Sequence, residues 1–359
     1  MNNRELLLNR LSNQQIANPS LNTPAEVVTH LGAFQAQDYE GALWSIGLRL
    51  PGSTRADIVR AIENREIVRT WPMRGTLHFV PARDMRWMLR LTATKVIKAT
   101  AARYRQLELD DEIFGKARQL LTAALEGDKQ FSRIALFTLL KKAGIAPEGQ
   151  RGVHILGRLC MEGLLCQGAY AGKEPTFALL EEWVINHANL SGEEALAELT
   201  KRYFTSHGPT TIEDFAWWSG LTKTQVKAGL AANSSIESFD CEGKTYWKCS
   251  DSLNVFPTKP RVDLLPSFDE YMLGYSDRSA AIDTEHHPKI VPGNNGMFMA
   301  TIVVNGKIEG LWKRSLASKK LKVSLGPFAS LTTVQLALLQ KRATAYGQFL
   351  GYETTELQL

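Results

Sequence analysis

No stretch of the 359-residue chain approaches the roughly 18 consecutive apolar residues needed to span a bilayer. The N-terminus, Met1 to Leu11, mixes Arg4, Glu5 and Arg10 among its leucines and carries no apolar signal core. A cytoplasmic protein with no membrane partner is therefore expected. Cysteine is also scarce. Cys160, Cys166, Cys241 and Cys249 are too few for a disulfide scaffold at this length. Their separations are not those of a CxxC zinc clip, and the seven histidines include no HExxH arrangement. Reduced thiols are expected, with neither a catalytic metal nor any other cofactor.

The composition that remains is that of a globular protein: 44% hydrophobic and 22% charged residues, enough apolar mass for a real core. The length predicts two to four domains. Net charge is +5, from 42 basic and 37 acidic residues. Its distribution is more telling than its size. Between Arg69 and Arg105 lie nine Lys or Arg against Asp84 alone, so this segment carries +8. Lys307 to Lys322 adds Lys307, Lys313, Arg314, Lys319, Lys320 and Lys322 against Glu309. Positive charge gathered in this way predicts a polyanionic partner, nucleic acid first among them. Either patch alone would equally describe a solvated basic face.

Helix punctuation is legible along the chain. Thr23-Pro24-Ala25-Glu26 is a capping box with proline at the first helical position, followed by Val27, Leu31 and Phe34 on one stripe. Gly41 reads as the end of that element, and Ala42 to Leu50 as an extended segment. A second helix begins near Thr54, boxed by Asp57. Ile67 to Val80 then reads as two strands around Pro72-Met73-Arg74-Gly75. Helix, helix, ribbon is the order of a winged helix. It recurs with a helix from Ser132 to Lys142, another around Val153 to Glu162, and a hairpin from Leu164 to Leu179. A third copy pairs Thr210 with Glu213, turns at Ser219-Gly220-Leu221, restarts at Thr222 with Gln225, and closes on a hairpin from Ile236 to Cys249. From about Leu253 the character changes. Asn294-Asn295-Gly296 is a turn signal, and Asn305-Gly306 separates Thr301–Val304 from Lys307–Trp312 as a two-residue hairpin turn. A helix from about Thr332 to Leu350 closes the chain.

The expected architecture is α+β: three tandem winged-helix units, each a helix-turn-helix plus β-hairpin, with a C-terminal β-rich domain. Residues 1–120 would hold the first winged helix with flanking helices, 121–190 the second, 191–252 the third and 253–359 the β-rich domain.

In the basic segment, a helix over Ala82–Tyr104 would place Arg83, Arg86 and Arg90 on one face, a rail for phosphates beside the first wing, with Met85, Leu89 and Val96 on another. Gln35-Ala36-Gln37 falls at the end of the first capped helix. Side chains two apart on a helix diverge, so a shared target requires the helix to fray there. Asp38 and Gly41 make fraying plausible.

Three ordered motifs carry a family resemblance. They are Ala33-Phe34-Gln35-Ala36-Gln37-Asp38; Arg69-Thr70-Trp71-Pro72-Met73-Arg74-Gly75-Thr76-Leu77-His78; and Leu264-Leu265-Pro266-Ser267-Phe268-Asp269 with Leu273-Gly274-Tyr275-Ser276-Asp277-Arg278. Together they resemble the tandem winged-helix DNA glycosylases of the AlkZ/YcaQ type, over nearly the whole chain. The resemblance implies three winged helices around a concave DNA-binding face. It also implies excision of alkylated purines and unhooking of some interstrand crosslinks. The family's catalytic signature, a glutamine, an apolar residue, then glutamine or aspartate, maps onto Gln35 and Gln37.

Glutamine suits such a substrate. Its amide is no general base, only a hydrogen-bond donor and acceptor. An N7- or N3-alkylated purine is already cationic and needs no enzymic acid to depart. What remains is to hold a water on C1′ and favour the cationic sugar, which oriented amide dipoles can do. The expected activity is that of a monofunctional DNA glycosylase acting as a monomer on duplex DNA with alkylated bases, with Gln35 and Gln37 catalytic. Arg69, Arg74, His78, Arg83, Arg86 and Arg90 would hold DNA, His78 being also readable as a structural histidine. Asp269, Asp277 and Arg278 match the third motif but read equally as a salt-bridged domain joint. The competing reading is a non-enzymic regulator, because winged helices are mostly binding modules. A nuclease would need an acidic metal cluster that the sequence does not show.

Overall fold

The computed structural model describes residues 1–252, 259–294, 296–317 and 320–359. The expected domain start at Leu253, the Asn295 turn position and Lys319 of the second basic stretch lie outside the described residues. Helices and strands are mixed along the chain, and no helix among the described residues is long and apolar enough to cross a membrane. Two compact units form, and they do not follow chain order: Met1–Val59 joins Ala197–Leu359, while Arg60–Leu196 forms the other.

The first unit is built on a five-stranded sheet ordered Thr354–Gln358, Lys320–Pro327, Lys307–Ala317, Thr301–Val304, Val262–Leu265. All neighbours are antiparallel except Thr354–Gln358, which runs parallel to Lys320–Pro327. The tight turn falls where the sequence places it. Asn305 and Gly306 have φ of 49° and 91°, the paired positive values that a two-residue hairpin demands. The expected terminal helix is Thr333–Phe349, opened by the Thr332/Gln335 capping box. It packs against the sheet through Tyr346, whose ring centroid lies 5.3 Å from that of Trp312 and 4.9 Å from that of Trp44. A Cβ at Gly47, the last residue of the helix Tyr39–Gly47, would stand 2.3 Å from the Phe349 ring, so glycine there lets this helix meet Thr333–Phe349. On the other flank Leu6, Leu7 and Leu11 of the first helix, Asn3–Asn13, share a core with Tyr271, Ile282 and Val303. Each leucine buried there contributes about 1.5–3 kcal/mol.

Near the N-terminus the chain departs from expectation. The helix Pro24–Leu31 opens with the Thr23/Glu26 box, but Gly32, at φ 82°, ends it well before Gly41. Phe34–Gln35 is a two-residue strand, and Tyr39–Gly47 is a second helix. Ala42–Leu50, expected to be extended, is thus mostly helical. Asp38 is the cap, its Oδ1 accepting the Gly41 N–H at 3.0 Å, and a Cβ at Gly41 would lie 2.6 Å from Asp38 Oδ2. The glycine that reads as a stop is a first-turn residue that makes room for the cap.

In the helix pair Ile212–Ser219 and Lys223–Ala231, Gly220 turns the chain at φ 74° and Thr222 boxes with Gln225 as expected. The first box is displaced by one residue, to Thr211 with Asp214. Thr210 cannot cap, because its backbone is bridged to Trp247 in the following hairpin, N–H to O at 3.0 Å and O to N–H at 2.8 Å. That hairpin joins Ile236–Cys241 to Lys244–Cys249.

The second unit carries an antiparallel sheet in which Thr76–Pro81, Ile67–Met73, Leu165–Ala171, Glu174–Leu179 and Phe131–Ser132 lie side by side. Both expected hairpins are present, the first turning at Arg74 and Gly75 with φ of 54° and 72°. They join where Arg69 pairs with Gln167. The helices Arg133–Lys142 and Arg151–Met161 precede the second hairpin, and Met85–Gln106, in which Trp87, Met88 and Leu89 are buried, packs on Ile67–Met73. All four cysteines of the chain are free and buried, and burial pushes the Cys160 and Cys166 thiols well above their ordinary range.

Candidate active site

The two glutamines meet. Gln35 Nε2 donates to Gln37 Oε1 at 2.9 Å, which the extended path permits and a helix would not. Gln35 is buried at 7% exposure, whereas Gln37 is exposed. Gln35 Oε1 is shielded from solvent and accepts no hydrogen bond from any described residue. A buried amide oxygen left in that state costs about 1–3 kcal/mol, and a water or ligand donor at this site would satisfy it.

Below the pair lies a polar scaffold that fixes the backbone. The Gln35 N–H donates to Glu270 Oε1 at 2.9 Å, and Glu270 Oε2 accepts the Trp218 indole N–H at 2.9 Å. Glu270 opens a short helix, Glu270–Leu273, capped by Asp269, whose Oδ1 accepts the Tyr271 N–H. Asp269 in turn holds Arg49 through two bonds of 2.8 Å. Arg49 lies just past the helix that follows Gln37, with its guanidinium 5.2 Å from the Phe34 ring centroid. Its other N–H groups reach Gln14 O, Gln14 Oε1 and Ser45 O at 2.9, 3.0 and 2.7 Å. Ser267 donates to Asp38 Oδ2 at 2.6 Å. The first and third motifs, more than two hundred residues apart in sequence, are thus one structure (Gln35 and Glu270 are separated by 235 positions). Sequence reasoning singled out Asp269 and passed over Glu270. A second acid beside the motif aspartate, in the otherwise apolar run Phe268–Leu273, was the available signal.

The remaining third-motif residues lie further along. Burial opposes ionisation of Asp277, but the Lys244 ammonium at 2.6 Å and Ser279 outweigh it and hold the carboxyl at about 2. The Arg278 guanidinium lies 4.9 Å from the ring centroids of both Trp217 and Phe298.

All six residues expected to hold DNA belong to the other unit. Arg69 is buried, donating to Gln167 Oε1 at 2.8 Å and Tyr170 Oη at 3.0 Å across the joint between the two hairpins. Arg74 stands at the hairpin tip, half-buried, with Nη2 3.5 Å from His78 Nε2. His78 is solvent-excluded, its Nδ1 2.9 Å from Thr76 O. Arg83 and Arg90 are exposed, while Arg86 pairs with Glu181 at 2.5 Å. Charge is therefore presented chiefly by Arg83 and Arg90, with Arg74 at the turn.

Among the described residues no group of three His, Cys, Asp or Glu side chains could hold a metal. The pattern of the AlkZ-like DNA glycosylases matches residues 28–349, which span the glutamine pair, both hairpins of the second unit and every strand of the first unit's sheet except Thr354–Gln358. The chain belongs to this family. This glycosylase is 25% identical, over 95% of its own length and 94% of the other's, to an interstrand DNA cross-link repair glycosylase of Streptomyces sahachiroi. In fold it resembles the solved Streptomyces sahachiroi DNA glycosylase AlkZ, with a TM-score of 0.83 at 21% identity, covering all of this chain and 99% of that one.

Proposed function

We propose that the glycosylase hydrolyses the N-glycosidic bond of cationic N7- or N3-alkylated purines in duplex DNA, and that it unhooks interstrand crosslinks made through such positions. The carrying observation is the joined amide pair: exposed Gln37 hydrogen-bonded to Gln35, whose own oxygen is buried and unmatched. Neither amide can deliver a proton to a neutral leaving base. Both can orient a water at C1′ and set carbonyl dipoles towards the cationic sugar. The alkylpurine departs as a neutral base with the bonding electron pair. Water adds to C1′, and its proton passes to solvent. The crosslink reading draws support from the related Streptomyces glycosylase, which is named for that repair.

The helix-helix-hairpin sets of residues 1–120, 121–190 and 191–252 serve as winged helices, followed by the β-rich segment 253–359. The protein works as a monomer in the cytoplasm. Exposed Arg83 and Arg90 and half-buried Arg74 contact phosphates, with Arg86 shared between Glu181 and DNA. Arg69 and His78 hold the first hairpin in shape for that contact. The product is an abasic site with the strand intact. Schiff-base chemistry needs an amine, and the first lysine of the chain is Lys95.

Matched duplexes differing only in the lesion test this reading, by release of free base scored before and after alkali. N7-methylguanine and N3-methyladenine should be released, and uracil and hypoxanthine should not. Efficient uracil release would overturn the cationic-leaving-group account, and strand cleavage without alkali would overturn the hydrolytic one.

A further inference from the structure

We infer that Glu270 is a positioning residue for base excision, acting through the backbone of Gln35; this rests on the role proposed above for the glutamines. Its carboxylate is wholly buried, and both oxygens are engaged by N–H donors, Oε1 by Gln35 N and Oε2 by Trp218 Nε1, each at 2.9 Å. Only a carboxylate suits this place. It offers acceptors on both sides, whereas a glutamine amide would turn its NH2 towards one of the two donors.

The surroundings fix the carboxylate in place. His207 Nε2 lies 3.6 Å from Oε2, and the imidazole stacks on Tyr203 at 4.5 Å with 12° between the planes. Its Nδ1 is 2.8 Å from Ser206 Oγ. A Cβ at Gly274 would fall 2.4 Å from the His207 ring and 2.7 Å from Glu270 O, so the short helix closes on the imidazole only because that residue is glycine. On the other side Asp269, one residue before, is locked to Arg49. Glu270 is therefore held from both flanks, and what it holds is the backbone of the buried glutamine. That hydrogen bond fixes where the Gln35 amide begins, and with it the Gln37 oxygen 2.9 Å from its Nε2.

The test is single-turnover excision of N7-methylguanine by the full chain carrying Glu270→Gln, in the wild-type and in the Gln35→Ala background. Duplex affinity and thermal stability are measured alongside. If Glu270 works through Gln35, Glu270→Gln should slow excision by about 10–100-fold, the scale of a small misplacement of a reacting group. Affinity should stay within about twofold. In the Gln35→Ala background the same change should alter the rate by no more than about twofold, the bound for independent sites failing to add. A residue that merely supports the fold would slow both backgrounds equally, and that result overturns the inference, as does a wild-type rate for Glu270→Gln. If Gln35→Ala itself excises at the wild-type rate, the glutamine assignment falls and this inference with it. If Glu270→Gln slows excision equally in both backgrounds while Gln35→Ala is impaired, only the inference falls. Should Glu270→Gln not fold, Trp218→Phe carries the same comparison. It removes one donor while leaving the carboxylate, and should slow the wild-type background about fivefold, the scale of one buried hydrogen bond, and the Gln35→Ala background not at all. Equal slowing of both backgrounds overturns the inference here too.

Discussion

Arg49 grips both oxygens of Asp269 at 2.8 Å, and neither side chain is reached by solvent. With Gln14 and Ser45 taking the remaining N–H groups, the buried guanidinium is fully satisfied. Removing one member of such a pair strands the other. Arg49→Met should cost about 3–5 kcal/mol of stability. In a double-mutant cycle with Asp269→Asn the losses should be clearly less than additive. Additive losses in denaturant titration would mean that the pair is not coupled.

Gln37 is the exposed member of the amide pair. Gln37→Ala should slow excision of a cationic alkylpurine by about 10²–10³, the usual loss for one preorganised hydrogen bond. Affinity for the duplex should barely change. A wild-type single-turnover rate in the variant would refute its role.

For DNA binding, exposure decides which arginines to change. Charge reversal at Arg83 together with Arg90 should weaken binding to damaged and undamaged duplex alike. The slope of log K against log salt should shrink by about 0.9 for each phosphate that the variant no longer neutralises. Arg69→Ala should instead lower stability, because that guanidinium joins the two hairpins. An unchanged salt slope for the Arg83/Arg90 variant would place that face away from DNA.

Local grammar was the legible part of this fold. Capping boxes at Thr23, Thr54 and Thr222 could be read because each side chain bonds a backbone N–H within three residues. The Tyr39–Gly47 helix escaped because Gly41 through Gly47 are all buried, so the segment has no polar face and shows no period. The glutamine pair was named from its motif, but its geometry was not legible. On a helix two residues apart diverge, and only the strand Phe34–Gln35 brings the amides together. Glu270 gave almost no signal, since its donors lie 235 and 52 residues away.

No step proposed for the glutamines requires a metal. Excision should persist in excess EDTA at its ordinary rate. Loss of activity on chelation, restored by one divalent ion, would overturn that expectation.

The pH dependence of stability follows from His207. Burial holds its pKa below the ordinary value of about 6.5, with Glu270 only partly offsetting that effect. As pH falls through about 6.5, the unfolded chain takes up a proton that the folded chain refuses, so stability is present above that pH and drains away below it. His30, lowered by burial despite its bond to Asn13 O, acts in the same direction. Asp277, held at about 2, titrates outside this window. The denaturation midpoint should therefore drop between pH 7.5 and 5.5, and a flat profile would contradict the assignment.

Ala36, wholly buried between an inner and an outer glutamine, governs how this site can change over time. Asp38 follows at once as the cap of a helix that carries Ser45 and leads to Arg49, so the count of residues from Gln35 onward is tied to the buried ion pair. Replacing a glutamine alters the chemistry on offer and leaves the path of the chain intact. Inserting or deleting a residue beside it would shift the cap off its helix and pull Arg49 from Asp269. A glutamine of the motif can be exchanged at the expense of its chemistry, but the motif cannot be lengthened.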